Sequence, residues 1–125
     1  MLSRVLVPLA QPKISRELSL AGMQEAQFLY LTTKGRNTGK MREIEIWFVE
    51  YDGNYYVVSE LREGSNWVQN IKHDTSISFR VGDKVFKGTA RIVADKKPEL
   101  SSRVSKLMDK KYGWSNGLIV ELKPS

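Results

Sequence analysis

Several stretches of the chain alternate apolar and polar residues with period two, the mark of a strand with one buried face. In Arg42–Glu50, Ile44, Ile46 and Phe48 share one face while Glu43, Glu45 and Trp47 share the other, so the segment reads as one strand. Ser76–Val81 puts Ile77, Phe79 and Val81 on one side. Val85–Val93 alternates Phe86, Gly88, Ala90 and Ile92 with Lys87, Thr89 and Arg91. Phe28–Thr33 is an aromatic and β-branched run, and Leu118–Leu122 is a short apolar one. Tyr55–Ser59 follows Asp52-Gly53, a strong hairpin signal. Helical spacing is confined to three places. Residues 16–26 read as a short helix, weakened at Gly22. Ser65 is placed as an N-cap before Trp67, Val68 and Ile71. Pro98 opens a longer helix carrying Leu100, Val104, Leu107 and Met108, which ends at Tyr112–Gly117.

The order is helix, strand, strand, strand, helix, strand, strand, helix, strand. It predicts a mainly β protein, a small antiparallel barrel with flanking helices, and argues against βαβ units. Gly88 and Ala90 suit tight curvature or a close backbone approach.

A chain of 125 residues without repeat or linker is expected to be one domain, with residues 1–15 as an arm or partner contact. The absence of cysteine excludes a disulfide scaffold, a thiol nucleophile and a thiolate metal site, and suits a cytoplasmic setting. The apolar run in Met1–Ala10 is broken by Pro8, so stable membrane insertion is not expected. The net charge of +6 invites an anionic partner, and its distribution matters more than its size.

That charge gathers in one turn. Lys34–Arg42 (KGRNTGKMR) holds Lys34, Arg36, Lys40 and Arg42, two glycines, Asn37 and Thr38, and no acid. Arginine forks, ammonium groups and glycine-freed amides are what phosphate recognition needs. It is not a Walker A loop, because Met41 follows Lys40. A solvated basic hairpin is the plain alternative. Trp47 either faces a ligand or packs at an interface, and Trp67 is a core anchor or a ligand wall. Asn70, three residues after Trp67, could donate to a ligand or cap a loop, and the Ser59 hydroxyl could touch a ring edge. His73, the one histidine, reads as a helix-end residue, with no metal set around it. Tyr112 and Trp114 either cover a bound ring or pack beneath the last strand. A nucleic-acid-binding barrel is disfavoured, because the basic residues do not form a stripe interleaved with aromatics.

The segments LTTKGRNTGKMREIEIWFVEYDGNYYVV, SNWVQNI, VGDKVFKGTARIV and LIVELKP together resemble the deazaflavin (F420)-dependent nitroreductase family. That family belongs to the FMN-binding split-barrel superfamily, which includes pyridoxamine-phosphate-oxidase-like proteins. The resemblance covers about residues 28–124 and is most specific in LTTxGRxxGKxR. It implies a split barrel, F420 as cofactor, and hydride transfer to a nitro compound, quinone or enone. It also implies a small, often dimeric, cytoplasmic enzyme acting on a small-molecule substrate. It points to Arg36, Asn37, Thr38, Gly39, Lys40 and Arg42, joined by Lys34, for the cofactor's phosphate-bearing tail. It also points to Trp67 and Asn70 beside the ring, where Ser59 and Trp47 are further candidates from the residues themselves. Tyr112 is the candidate catalytic residue, as a proton or hydrogen-bond donor. FMN is the alternative cofactor, and a non-catalytic barrel the alternative of another kind. The chain departs from the family pattern at Met41, where proline is common, and in the short approach Gly64–Ser65–Asn66–Trp67. It also has Tyr112 with Trp114 in place of several tyrosines.

Overall fold

The structure, a computed structural model, describes residues 26–93 and 97–125. The arm at 1–15 and, but for Ala26, the helix expected over 16–26 lie outside them. Seven strands form one sheet. They are β1 (Leu29–Lys34), β2 (Met41–Ile46), β3 (Phe48–Tyr51), β4 (Asn54–Ser59), β5 (Ser76–Val81), β6 (Lys84–Ile92) and β7 (Leu118–Pro124). A 3₁₀ turn at Arg62–Gly64 leads into helix α1 (Asn66–His73), and helix α2 (Pro98–Tyr112) precedes β7. Proline stands in the first turn of α2, as its sequence position predicts.

The strand order is β2-β1-β5-β6-β7-β4-β3, with every neighbouring pair antiparallel. The segment Arg42–Glu50 is therefore not one strand. It breaks at Trp47 into β2 and β3, which lie at opposite edges of the sheet. One residue joins the two edges, so the sheet has to curl into a split barrel. The even-numbered face survives the break: Ile44, Ile46 and Phe48 all serve the barrel interior. The odd face changes partner. Glu43 and Glu45 are exposed, whereas Trp47, Val49 and Tyr51 belong to a second core.

The interior core is built from Leu29, Leu31, Phe48, Tyr55, Val57, Phe79, Val120 and Leu122, with Ile71 of α1 packed into it. The second core lies where α2 sets Val104 and Met108 against Val49, Tyr56, Val58 and Ile119 of the sheet. Two packed layers around apolar faces are what a curled sheet and an amphipathic helix require. The hairpin at Asp52-Gly53 has positive φ at both residues (54° and 82°), the geometry of the turn its sequence predicts. Strand β6 pairs with β5 along its first part and β7 along its last, and Gly88 belongs to both ladders. A Cβ there would run into the Lys123 carbonyl, so the small residue meets a close backbone approach.

Candidate cofactor site

The Lys34–Arg42 segment forms a tight loop between β1 and β2. The Gly35 N–H donates to the Lys40 carbonyl (2.7 Å), and the Gly39 N–H donates to the Gly35 carbonyl (2.8 Å). Gly39 takes φ of +74°, which favours glycine. A Cβ on Gly35 would sit 2.9 Å from Thr38 Oγ1. That hydroxyl instead accepts the Lys40 N–H at 3.1 Å. The loop's shape is thus fixed by its own backbone, and its cationic side chains are left for other work.

Beside the loop is a polar cavity of about 710 Å³. Arg36, Asn37, Thr38 and Arg42 line it from the loop, and Asn66, Trp67 and Asn70 line it from α1. Glu43 is the one acid on its wall. Asn70 is buried and joins the two sides. Its Oδ1 accepts the Arg36 backbone N–H (3.1 Å) and the Arg36 Nη1 (2.9 Å), while its Nδ2 donates to Thr33 Oγ1 (3.1 Å).

A second cavity of about 610 Å³ opens on the other side of Trp67. Its walls are mainly apolar: Phe28, Ile46, Trp47, Val58, Leu61 and Trp114 join Trp67 there. The chain's three tryptophans all stand on this one cavity. Ser59 also lines it, but its hydroxyl donates to the Arg62 carbonyl (2.8 Å) and lies 2.7 Å from the Ser65 hydroxyl. Ser65 does hold the N-cap position of α1, yet makes no side-chain cap bond, because its hydroxyl is turned to Ser59. The pair pins the 3₁₀ turn that carries Leu61 to the cavity mouth.

The expected site residues are thus divided. Arg36, Asn37, Thr38, Arg42, Trp67 and Asn70 come together around the polar cavity, and Trp47, Ser59 and Trp67 around the apolar one. Lys34 and Gly39 face a smaller hollow of about 180 Å³ beside His73 and Asp74, on the other side of Arg36. Lys40 lines none of these three cavities.

Tyr112 lines neither of the two larger cavities, and its hydroxyl is engaged by backbone groups. Its hydroxyl accepts the Phe48 N–H (3.0 Å) and faces the carbonyls of Gln27 (2.7 Å) and Phe48 (2.9 Å). Its ring stacks on Trp47 with centroids 4.4 Å apart, and burial pushes the phenol well above its ordinary pKa. The neighbouring Lys111 donates to the Phe48 carbonyl (3.0 Å) and lies 3.9 Å above the Phe48 ring. Burial lowers its pKa to about 8. Both groups clasp β3 to the end of α2. The sequence reading missed Phe28, Leu61 and Asn66. A Phe preceding the first strand and an exposed Leu in an otherwise polar connection were the available signals.

The fold is thus an antiparallel split barrel with a cation-lined cavity beside an aromatic one. Solved structures agree on the fold. The heme storage protein HutZ from Vibrio cholerae matches at 18% identity and TM-score 0.71, over 91% of this chain and 92% of that one. A protein described as a pyridoxamine 5′-phosphate oxidase from Listeria innocua matches at 13% identity and TM-score 0.64, over 89% and 94%. An F420-H2 dependent reductase, FDR-A, matches at 24% identity and TM-score 0.64, over 78% and 94%. No protein of curated function matches the sequence. The model of the F420H(2)-dependent quinone reductase family matches residues 13–114, and the chain belongs to that family. It is an F420-dependent oxidoreductase.

Proposed function

We propose that the chain uses reduced F420 to reduce a small planar acceptor, a quinone first and nitro compounds or activated enones after it. One observation carries the reading. A polar cavity with two arginines and an apolar cavity walled by three tryptophans share Trp67 as their common wall. This pairing fits a flat ring carried on an anionic tail. When bound, reduced F420 supplies a hydride, and one proton from solvent completes reduction of a quinone to its hydroquinone.

The residues divide the remaining work. Arg36 and Arg42 hold the tail's charge, with Asn37 and Thr38 beside them. Lys34, Gly39 and Lys40 stand outside that cavity; the two lysines add to the local positive field, and Gly39 keeps the loop's shape. Trp67 sits at the junction of tail and ring. Trp47 and Trp114 exclude water from the ring site, while Ser59 steadies the turn at its mouth. Tyr112 positions Trp47 and takes no part in proton transfer. We extend the proposal to a cytoplasmic homodimer. The cysteine-free composition supports the first term. A fold relative described as a domain-swapped dimer, 21% identical, supports the second.

Parallel titration with F420 and FMN, followed by tryptophan fluorescence, tests the cofactor reading. F420 should bind and quench, with FMN much weaker. Arg42→Ala should weaken F420 binding by about tenfold or more with the melting temperature unchanged. Preference for FMN, or binding of neither, overturns the proposal. Rates with a quinone and a nitroaromatic then order the acceptors, and a faster nitroaromatic would displace the quinone as the preferred one.

A further inference from the structure

Arg36 is held by neutral groups alone. The Asn66 carbonyl accepts from Nη1 (3.3 Å), Asn66 Oδ1 accepts from Nη2 (3.3 Å), and Asn70 Oδ1 accepts from Nη1 (2.9 Å). The two ion pairs found among the described residues, Lys72–Glu63 and Arg91–Glu121, do not involve it. Arginines fixed in place are commonly fixed by carboxylates, and the carboxylate then cancels the charge. Here the guanidinium is oriented while its full charge is kept. A guanidinium has five N–H donors, and these contacts use three of them.

Asn70 is suited to this by its two-sided amide. Both lone-pair positions of Oδ1 are taken by Arg36, once by the backbone and once by the side chain, and Nδ2 is committed to Thr33. Asn70 as a whole residue is 4% exposed, so little of it is left for a ligand. Asn66 and Asn70 lie four residues apart, one turn along the same face of α1.

We infer that Asn70, assisted by Asn66, is a positioning residue: a neutral clamp that presets Arg36 for an anion without discharging it. The inference rests on the anion-binding reading of the loop and deepens it. It gives α1 a task that contact with cofactor would not. The amide acts through Arg36, and its lack of charge matters as much as its geometry.

Asn70→Asp is the discriminating variant. A carboxylate in the same place would pair with Arg36, and the Thr33 hydroxyl can donate to it, so the fold keeps its network. The melting temperature should hold or rise, while affinity for inorganic pyrophosphate and for F420 should fall about tenfold or more. The salt dependence of binding should flatten as well. A purely structural asparagine would show no such split. Asn70→Asp with wild-type affinity and salt dependence overturns the inference.

A ligand-free measurement separates this from the function proposed above. In ¹⁵N-labelled protein the Arg36 Nη resonances should be individually resolved by restricted rotation, and should collapse in Asn66→Ala and Asn70→Ala. Resolved resonances in a protein that binds pyrophosphate but not F420 would leave the clamp standing and overturn the function, whereas binding of neither would overturn both. Averaged resonances in a protein that binds F420 would overturn the clamp alone.

Discussion

Replacing Tyr112 by Phe removes one oxygen and leaves the ring stacked on Trp47. The loss falls on the backbone of β3. The Phe48 N–H, which donates to that oxygen at 3.0 Å, belongs to a residue only 4% exposed. Left without a partner and screened from water, such a group costs about 1–3 kcal/mol. The Gln27 and Phe48 carbonyls also lose a donor, but Phe48 keeps Lys111 and the Gln27 contact lies at the surface. The sum is roughly 2 kcal/mol, which for a chain of this length lowers Tm by roughly 6–8 °C. Differential scanning calorimetry measures it, with stopped-flow rates from reduced F420 on the same samples. Tyr112→Phe should lose stability and keep its single-turnover rate within a few-fold. An unchanged Tm together with a rate reduced about a hundredfold would refute the argument and restore Tyr112 as a proton donor.

Two more expectations concern the frame around the site. Lys111 has a folded pKa of about 8 against an ordinary 10.5, so above pH 8 the unfolded chain holds more protons and stability should climb with pH. Tyr30, Tyr55, Tyr56 and Tyr112 all have raised pKa values and oppose the climb above about pH 10, where unfolded tyrosines ionise. Urea midpoints between pH 7 and 10 should rise in the wild type and flatten in Lys111→Met; a flat wild-type profile would count against the buried cation. Gly88→Ala should cost about 1–3 kcal/mol in chemical denaturation, since its methyl meets the Lys123 carbonyl rather than a movable side chain. A neutral result would mean that β7 can step aside.

The Lys34–Arg42 loop was legible as a loop because everything that shapes it is local. Two glycines, a threonine hydroxyl and four cations lie within nine residues, and the loop's bonds close on themselves. The Asp52-Gly53 hairpin was legible for the same reason. The break at Trp47 was not, because Ile44, Ile46 and Phe48 keep their alternation straight through the corner. The signal lay on the other face, where Glu43 and Glu45 give way to Trp47, Val49 and Tyr51, a change from solvent to a second core. The backbone contact of Tyr112 was not legible because its partner is 64 residues away, nor the bond from Arg36 to Asn70, which spans 34. Residue type announces hydrogen-bonding capacity. Only the folded chain decides whether a ligand or a neighbouring strand uses it.

Trp47 is both the single residue joining the two sheet edges and a wall of the aromatic cavity. Seam and cavity wall are therefore one side chain, and selection on one is selection on the other. A relative that widened its acceptor range by shrinking this tryptophan would loosen the closure of its own barrel. The freer route runs through Leu61, 70% exposed at the cavity mouth beside a short turn with no buried residue. Divergence in substrate preference within this architecture is thereby steered to the rim, while the floor of the cavity is held fixed by the demands of folding.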